Sequence, residues 1–278
     1  MARLFRRVYR VQVGTLAAED VDLTFKVTRT LAAHPGTCEI TLYNLSETHR
    51  RELRPNAFGR LRVFCQLDAG YEGTRSMLFR GDTRRIEHKR DGTEWVTVVT
   101  AGDGEHAIRN ARVVASFARE TTFATVVRAL AQQMGVGEGN LASVTDALGA
   151  TVRAGTVLHG QAAQELHRIC AAAGLEFSVQ DGALQILRRG QALDRVGVLL
   201  SPETGLLGSP ERCGYKRIKL SALLQPDLVP GRKVRVESST ATGDYRIVQA
   251  EYAGDTRGED WTADLVCRDL ALDAPLIV

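Results

Sequence analysis

Short runs in which apolar and polar residues alternate fill both ends of this chain, and that period of two constrains its fold most. In a strand, neighbouring side chains point to opposite faces, so alternation marks one buried face and one wet face. Cys38-Glu-Ile-Thr-Leu-Tyr43 sets Cys38, Ile40 and Leu42 against Glu39, Thr41 and Tyr43. Val8–Val13 sets Tyr9, Val11 and Val13 against Val8, Arg10 and Gln12, and Leu23–Val27 alternates in the same way. Leu61–Leu67 turns Leu61, Val63, Cys65 and Leu67 inward. Met77–Phe79, Thr83–His88 and Glu94–Thr100 follow, the last two joined by the hairpin signal Asp91-Gly92. One short helix is predicted at Ser46–Leu53, with Ser46 as its N-cap. Short strands separated by turns predict a small barrel or sandwich over residues 1–104.

The period changes after residue 104. Phe123, Val126, Val127, Leu130 and Met134 follow the apolar stripe of a helix, with Thr121 or Thr122 to cap it and Gly135 to end it. A second helix is predicted from Gly160 to Ala173, with Leu166, Ile169, Cys170 and Ala173 on one face and Gly174 as its stop. Leu175–Val179, the turn Asp181-Gly182 and Ala183–Leu187 then read as a hairpin. Two helices on a small sheet make an α+β module over residues 105–190. Strands return over residues 191–278, at Arg217–Leu224, Lys233–Glu237, Tyr245–Tyr252 and Asp260–Cys267. Their predicted turns are Pro230-Gly231, Thr242-Gly243-Asp244 and Gly254–Gly258. No short internal period points to a solenoid or propeller.

Composition excludes more than it selects. A chain of 278 residues with 44% hydrophobic and 25% charged residues can bury a core without a disulfide or metal staple. A net charge of +3 is too weak a field to make nucleic acid or an acidic membrane the main partner. The charge is graded, from 17 basic against 13 acidic residues over 1–104 to 11 against 13 over 191–278, which suits stacking between unlike surfaces. Of the five cysteines, Cys38, Cys65, Cys170 and Cys267 sit inside apolar patterns and read as buried thiols made in a reducing compartment. No run of 18 apolar residues predicts a membrane span. The arginines at 3, 6, 7 and 10 are not followed by the apolar stretch of a secretory signal.

Motifs of chemistry fail on context. Gly135-Val-Gly-Glu-Gly139 follows a helix rather than a strand and lacks the Lys-Ser/Thr of a phosphate loop, so it reads as the loop after a helix cap. Asp103, Glu105 and His106 are close enough in sequence to ligate a metal, but without distant partners they read as a solvated linker. His159 and His167 lack metal-ligand spacing. Ser201, Ser209 and Ser221 stand in no nucleophile elbow. Arg84-Arg-Ile-Glu-His-Lys-Arg90 looks like a nucleic-acid patch but, broken by Glu87, reads as a solvated strand face. No catalytic, cofactor-binding or metal-binding residue is assigned, and no cofactor is expected.

Several stretches resemble the baseplate hub proteins of phage tails. Thr37-Cys-Glu-Ile-Thr-Leu-Tyr-Asn-Leu-Ser46 is similar to their strand-then-helix element, and Phe79-Arg-Gly-Asp82 to a recurring strand. Gly160 to Leu187 resembles their middle module, and Leu200–Pro210 a link to the last domain. Leu223–Gly231, Gly243–Val248 and Gly254–Trp261 complete a resemblance that spans nearly the whole chain and extends to Mu-like hubs and the upper part of type VI secretion spikes. It implies a mainly β fold with an α+β insert: two small β-barrel domains, 1–104 and 191–278, flanking a two-helix plus hairpin module, 105–190.

The implied function is structural, that of a homotrimeric symmetry adaptor between a six-fold tail tube and a three-fold spike, with no enzyme activity. The implied partners are the tail tube or distal tail protein, the spike, the tape-measure protein and baseplate wedge proteins. DNA would pass the lumen without sequence-specific binding, and the chain would not insert in a membrane. The expected location is the virion tail baseplate, after synthesis in the host cytoplasm. On this reading the length holds two barrels and one insert, with no segment for a fused hydrolase. The alternatives are a tail-associated cell-wall hydrolase, which needs facing carboxylates or a metal, and a nucleic-acid-binding module using the arginines of the first domain.

Overall fold

The computed structural model of the chain describes residues 6–32, 34–54, 63–144, 149, 151, 155–194 and 196–273, with the backbone alone at 105, 106, 272 and 273. The first stretch forms β1 (Arg7–Val13), β2 (Leu16–Ala18), β3 (Leu23–Thr30), β4 (Gly36–Tyr43), α1 (Glu47–Glu52), β5 (Phe64–Tyr71), β6 (Ser76–Asp91) and β7 (Glu94–Asp103). The middle forms α2 (Glu105–Asn110), β8 (Arg112–Phe117), α3 (Phe123–Met134), β9 (Thr156–Gln161), α4 (Ala162–Ala172), β10 (Leu175–Gln180) and β11 (Ala183–Arg188). The last stretch forms β12 (Val198–Leu200), β13 (Leu206–Arg212), β14 (Arg217–Leu223), β15 (Lys233–Glu237), β16 (Thr242–Asp255), β17 (Trp261–Asp269) and α5 (Leu270–Asp273). The fold is mainly β with an α+β insert.

Alternation places the core as expected. β4 buries Cys38, Ile40 and Leu42, and β17 buries Trp261, Ala263, Leu265 and Cys267. Ser46 caps α1 by accepting from the His49 N–H, and Thr122 caps α3 by accepting from the Thr125 N–H. Gly135 ends α3 in the left-handed conformation. Asp181 and Gly182, at φ 55° and 77°, turn β10 into β11.

Several predicted boundaries move. Met77–Phe79 and Thr83–His88 belong to the single strand β6, which runs on through Gly81 and absorbs a register shift between Thr83 and Arg85. Gly81 is needed there, because a Cβ on it would lie 2.4 Å from the Gly102 carbonyl oxygen. Thr242-Gly243-Asp244 is not a turn but the start of β16, paired with Arg235–Glu237. Gly254 and Asp255 likewise end β16 before the turn begins. Gly160 lies in β9, so the second helix starts at Ala162, and half-buried Ala173 is its C-cap. Leu61 lies outside the described residues.

One 13-stranded sheet carries the strands of both outer stretches. Its strand order repeats. The first unit reads β3-β4-β7-β6-β5-β1 and the second β13-β14-β17-β16-β15-β12, with matching antiparallel pairs except at the last step, where β12 runs parallel to β15. In each unit the fourth strand is long and shifts register against the third, after Thr83 in β6 and after Ile247 in β16. From those shifts, equivalent rows run Arg85–Thr100–Glu39–Lys26 and Gln249–Val266–Lys219–Glu211. Five residues along, Arg90 faces Trp95 and Gly254 faces Trp261, so the two tryptophans are equivalent. The backbone agrees: Asn44 N–H donates to Trp95 O and Leu224 N–H to Trp261 O.

The units join where β3 pairs with the far half of β16, Thr24–Thr30 against Gln249–Asp255. Trp261 seals this joint, edge-on to Phe25 at 5.4 Å and donating from Nε1 to Gly70 O at 3.2 Å. A Cβ on Gly254 would fall 2.3 Å from Phe25, so only glycine lets the ring cross. One continuous hydrophobic cluster serves both units, and the insert has its own, built from α2, α3, α4, the β8–β9 ribbon and the β10–β11 hairpin.

Candidate functional site

Buried charge collects where the insert meets the sheet. Arg29, on β3 and 5% exposed, donates to Leu78 O at 3.1 Å, Gln180 Oε1 at 3.0 Å and Asp181 Oδ2 at 2.7 Å. Asp103, at the end of β7 and 4% exposed, accepts from the Asp181 N–H at 2.6 Å and the Gly182 N–H at 3.1 Å. Desolvation raises the Asp103 carboxyl to about 6, against the two backbone donors and Arg29, which pull it down. At the other end of β10, Arg246 of the second unit, 2% exposed, pairs with Glu176 and donates to Gln191 O at 3.0 Å. A buried charge persists only when paired, so these contacts fix the insert to both units.

This corrects the reading of Asp103, Glu105 and His106 as a solvated linker. Asp103 is buried because it satisfies the β10–β11 turn, and the backbone of residues 105–110 forms α2. The side chains of Glu105 and His106 lie outside the described set. Gly104 is packed so closely that a Cβ would lie 2.5 Å from Val179. The signal missed in the sequence is Asp103 itself, an acidic residue at the end of an apolar strand.

The remaining candidates stand apart. Gly135–Gly139 is a packing loop: Gly137 bridges to Ala183, and a Cβ on Gly139 would sit 1.7 Å from Leu184 O. His159 is exposed on β9 and His167 is exposed on α4. Ser201 caps a short turn with Thr204, Ser209 is exposed in β13, and Ser221 donates to Asp264 Oδ1 at 2.5 Å across the sheet. Among the described residues no cluster of His, Cys, Asp or Glu could hold a metal. No described helix is long and apolar enough to cross a membrane. Cys38, Cys65, Cys170 and Cys267 are buried free thiols, and burial pushes Cys65 and Cys170 up to about 12. Cys213 is exposed. A cavity of about 410 Å³ between sheet and insert is lined by five glycines and by apolar side chains such as Phe64 and Met134, with Arg80, Asp82 and Asp103 on its wall.

What the surface offers is edges. β13 pairs only with β14, and its other edge has no strand partner among the described residues. The basic stretch Arg84–Arg90 lies in the far half of β6, which among the described residues pairs with β7 alone. Arg85, Glu87, Lys89 and Arg90 face solvent there, as read from the sequence, while Ile86 is buried. Beside them Trp95 is 36% exposed, with the Arg50 guanidinium stacked 4.2 Å above its ring. Tyr215, after β13, is 86% exposed.

Comparison with known proteins gives this geometry a context. Residues 6–267 match the profile of a family described as "Baseplate hub gp41". The fold is similar to the 43 kDa tail protein of prophage MuSo2 from Shewanella oneidensis, with a TM-score of 0.66 at 12% identity over 96% of this chain and 100% of that one. The tail protein from Neisseria meningitidis MC58 gives 0.64 at 9% identity, over 95% and 97%. The E. coli c3393 protein gives 0.60 at 11%, over 93% and 76%; it is a type VI secretion component with structural similarity to T4 tail proteins gp27 and gp5. At these identities the likeness is one of fold. No curated protein matches the sequence.

Proposed function

Because this chain belongs to the baseplate hub gp41 family, and so is a structural component of a virion tail, we propose that it works as a homotrimeric symmetry adaptor. In this role it joins a six-fold tail tube to a three-fold spike. The observation that carries the reading is the duplicated strand order, two equivalent β units in one chain. Three copies of a two-unit chain present six similar units on one face while keeping three-fold symmetry in everything the units do not share. Contacts between different surfaces of neighbouring copies close into such a ring when each step turns by a third of a circle.

We assign residues 1–104 and 191–278 to the two barrel units and 105–190 to the insert. Tube or distal tail protein, spike, tape-measure protein and baseplate wedge proteins are the partners this role requires. It requires no catalysis and no base-specific contact with the DNA that passes through. The likeness to a type VI secretion component supports a spike-side partner. Electron microscopy of assembled tails tests the proposal. Three copies around the axis, stacked between a six-fold and a three-fold layer, are expected. A single copy, or six, would overturn it. A zymogram on peptidoglycan is expected to show no lysis; a clear band lost on one Asp or Glu substitution would restore the hydrolase reading.

A further inference from the structure

Within one chain the two units meet by pairing the first strand of the first unit with the far half of the fourth strand of the second. Among the described residues the reciprocal pair of edges is unused. The first strand of the second unit, β13, has one open edge, and the far half of β6, the fourth strand of the first unit, has another. We propose that these two edges pair between neighbouring copies, so that the end of β13 and the residues after it, Glu211–Tyr215 of one copy, lie antiparallel on Arg85–Lys89 of the next. This rests on the homotrimer reading and supplies the surface that reading lacks.

The equivalent rows give the register. Lys26 lies opposite Ala253 in the inner joint, Glu211 is the equivalent of Lys26, and Lys89 is the equivalent of Ala253. Glu211 therefore meets Lys89, unlike charges placed face to face. The inner joint carries its own cross-strand ion pair nearby, Lys26 to Glu251 at 2.6 Å. The tryptophans supply a second, independent sign. Trp261 is 1% exposed because the inner joint covers it, whereas its equivalent Trp95 is 36% exposed on the joint not yet made. A large aromatic ring about a third exposed beside an open edge offers apolar surface that a strand from another chain would bury.

The outer joint is not a copy of the inner one. Arg90 stands where Gly254 admits Trp261, and Arg50 holds the Trp95 face in the meantime. β13 also carries an irregularity between Leu207 and Glu211, with Pro210 inside it. Such a break stops an edge from recruiting strands without limit, which confines pairing to the stretch from Glu211 onward.

One substitution tests the register. Thr28 lies opposite Glu251; Cys213 is the equivalent of Thr28 and Glu87 of Glu251. Facing residues in an antiparallel pair have Cα atoms about 4.5–5.5 Å apart, within the span of a disulfide. Glu87→Cys in the full chain is therefore expected to give reduction-sensitive covalent oligomers of up to three chains under mild oxidation. Adding Cys213→Ser should abolish them, and wild type should give none. Separately, Lys89→Glu and Glu211→Lys should each weaken association about fivefold per joint, and the two together should restore it. A trimer that neither cross-links nor responds to the charge changes overturns this pairing and leaves the trimer standing. A chain found singly in assembled tails overturns both.

Discussion

Two residues hold the insert and a third seals the joint between the units, and each carries its own test. Arg29 donates to three acceptors while 5% exposed, so Arg29→Met strands the Asp181 carboxylate and two further acceptors, Leu78 O and Gln180 Oε1. Breaking a buried ion pair from one side costs about 3–5 kcal/mol, which chemical denaturation would read as a lower midpoint. Asp103 is set the other way. Its carboxyl is raised to about 6 from an ordinary 3.8, mainly by desolvation. A raised carboxyl favours the fold most below about 3.8, and that contribution is lost as pH rises through about 6. The difference in stability between wild type and Asp103→Asn should therefore shift in favour of wild type from pH 7 to pH 5. A pH-independent difference would contradict the assignment. Trp261 is the third, and Trp261→Ala should cost about 3–5 kcal/mol in thermal or chemical unfolding, because it empties the joint between units.

At the scale of elements, alternation made β1, β3, β4, β7, β14, β15 and β17 legible, and a stripe with a threonine cap and a glycine stop made α3 legible. Period fails where strands change phase or lack it. β6 reads as two runs because the alternation breaks at Arg80-Gly81-Asp82, and the residue that explains Gly81, Gly102, lies on another strand. β13 was missed because Leu206-Leu-Gly-Ser-Pro has no alternation and an edge strand needs none. The β8–β9 ribbon was missed because its two runs lie far apart in the chain. The Arg29–Asp181–Asp103 joint was illegible for a different reason: sequence separation hides partners that only the sheet brings together. The glycine loop supports an element-scale test. Gly139 has φ 52° and no room for a Cβ against Leu184 O, so Gly139→Ala should cost about 1–3 kcal/mol and loosen the β11 contact first. Hydrogen exchange at Leu184 and Asn140 would show it.

Across the whole molecule, the resemblance implied two barrels and the structure joins them through one sheet and one core. Cooperative openings should follow the cores rather than the chain order. Amides of β3, β4, β16 and β17 should exchange as one group, with α3, α4 and β10 as another. Two separate groups for the first and last stretches would contradict the shared core. β10 has a mechanical meaning as well. It is bolted at one end to the first unit through Arg29 and at the other to the second through Arg246. It thus spans the inner joint like the strut of a folding frame locked open. The edges proposed to pair between copies, β13 and the far half of β6, make none of the buried ion pairs that anchor β10. A ring of six units built from this chain would alternate stiff and compliant corners, and any force that widens the channel would be taken up at every second one.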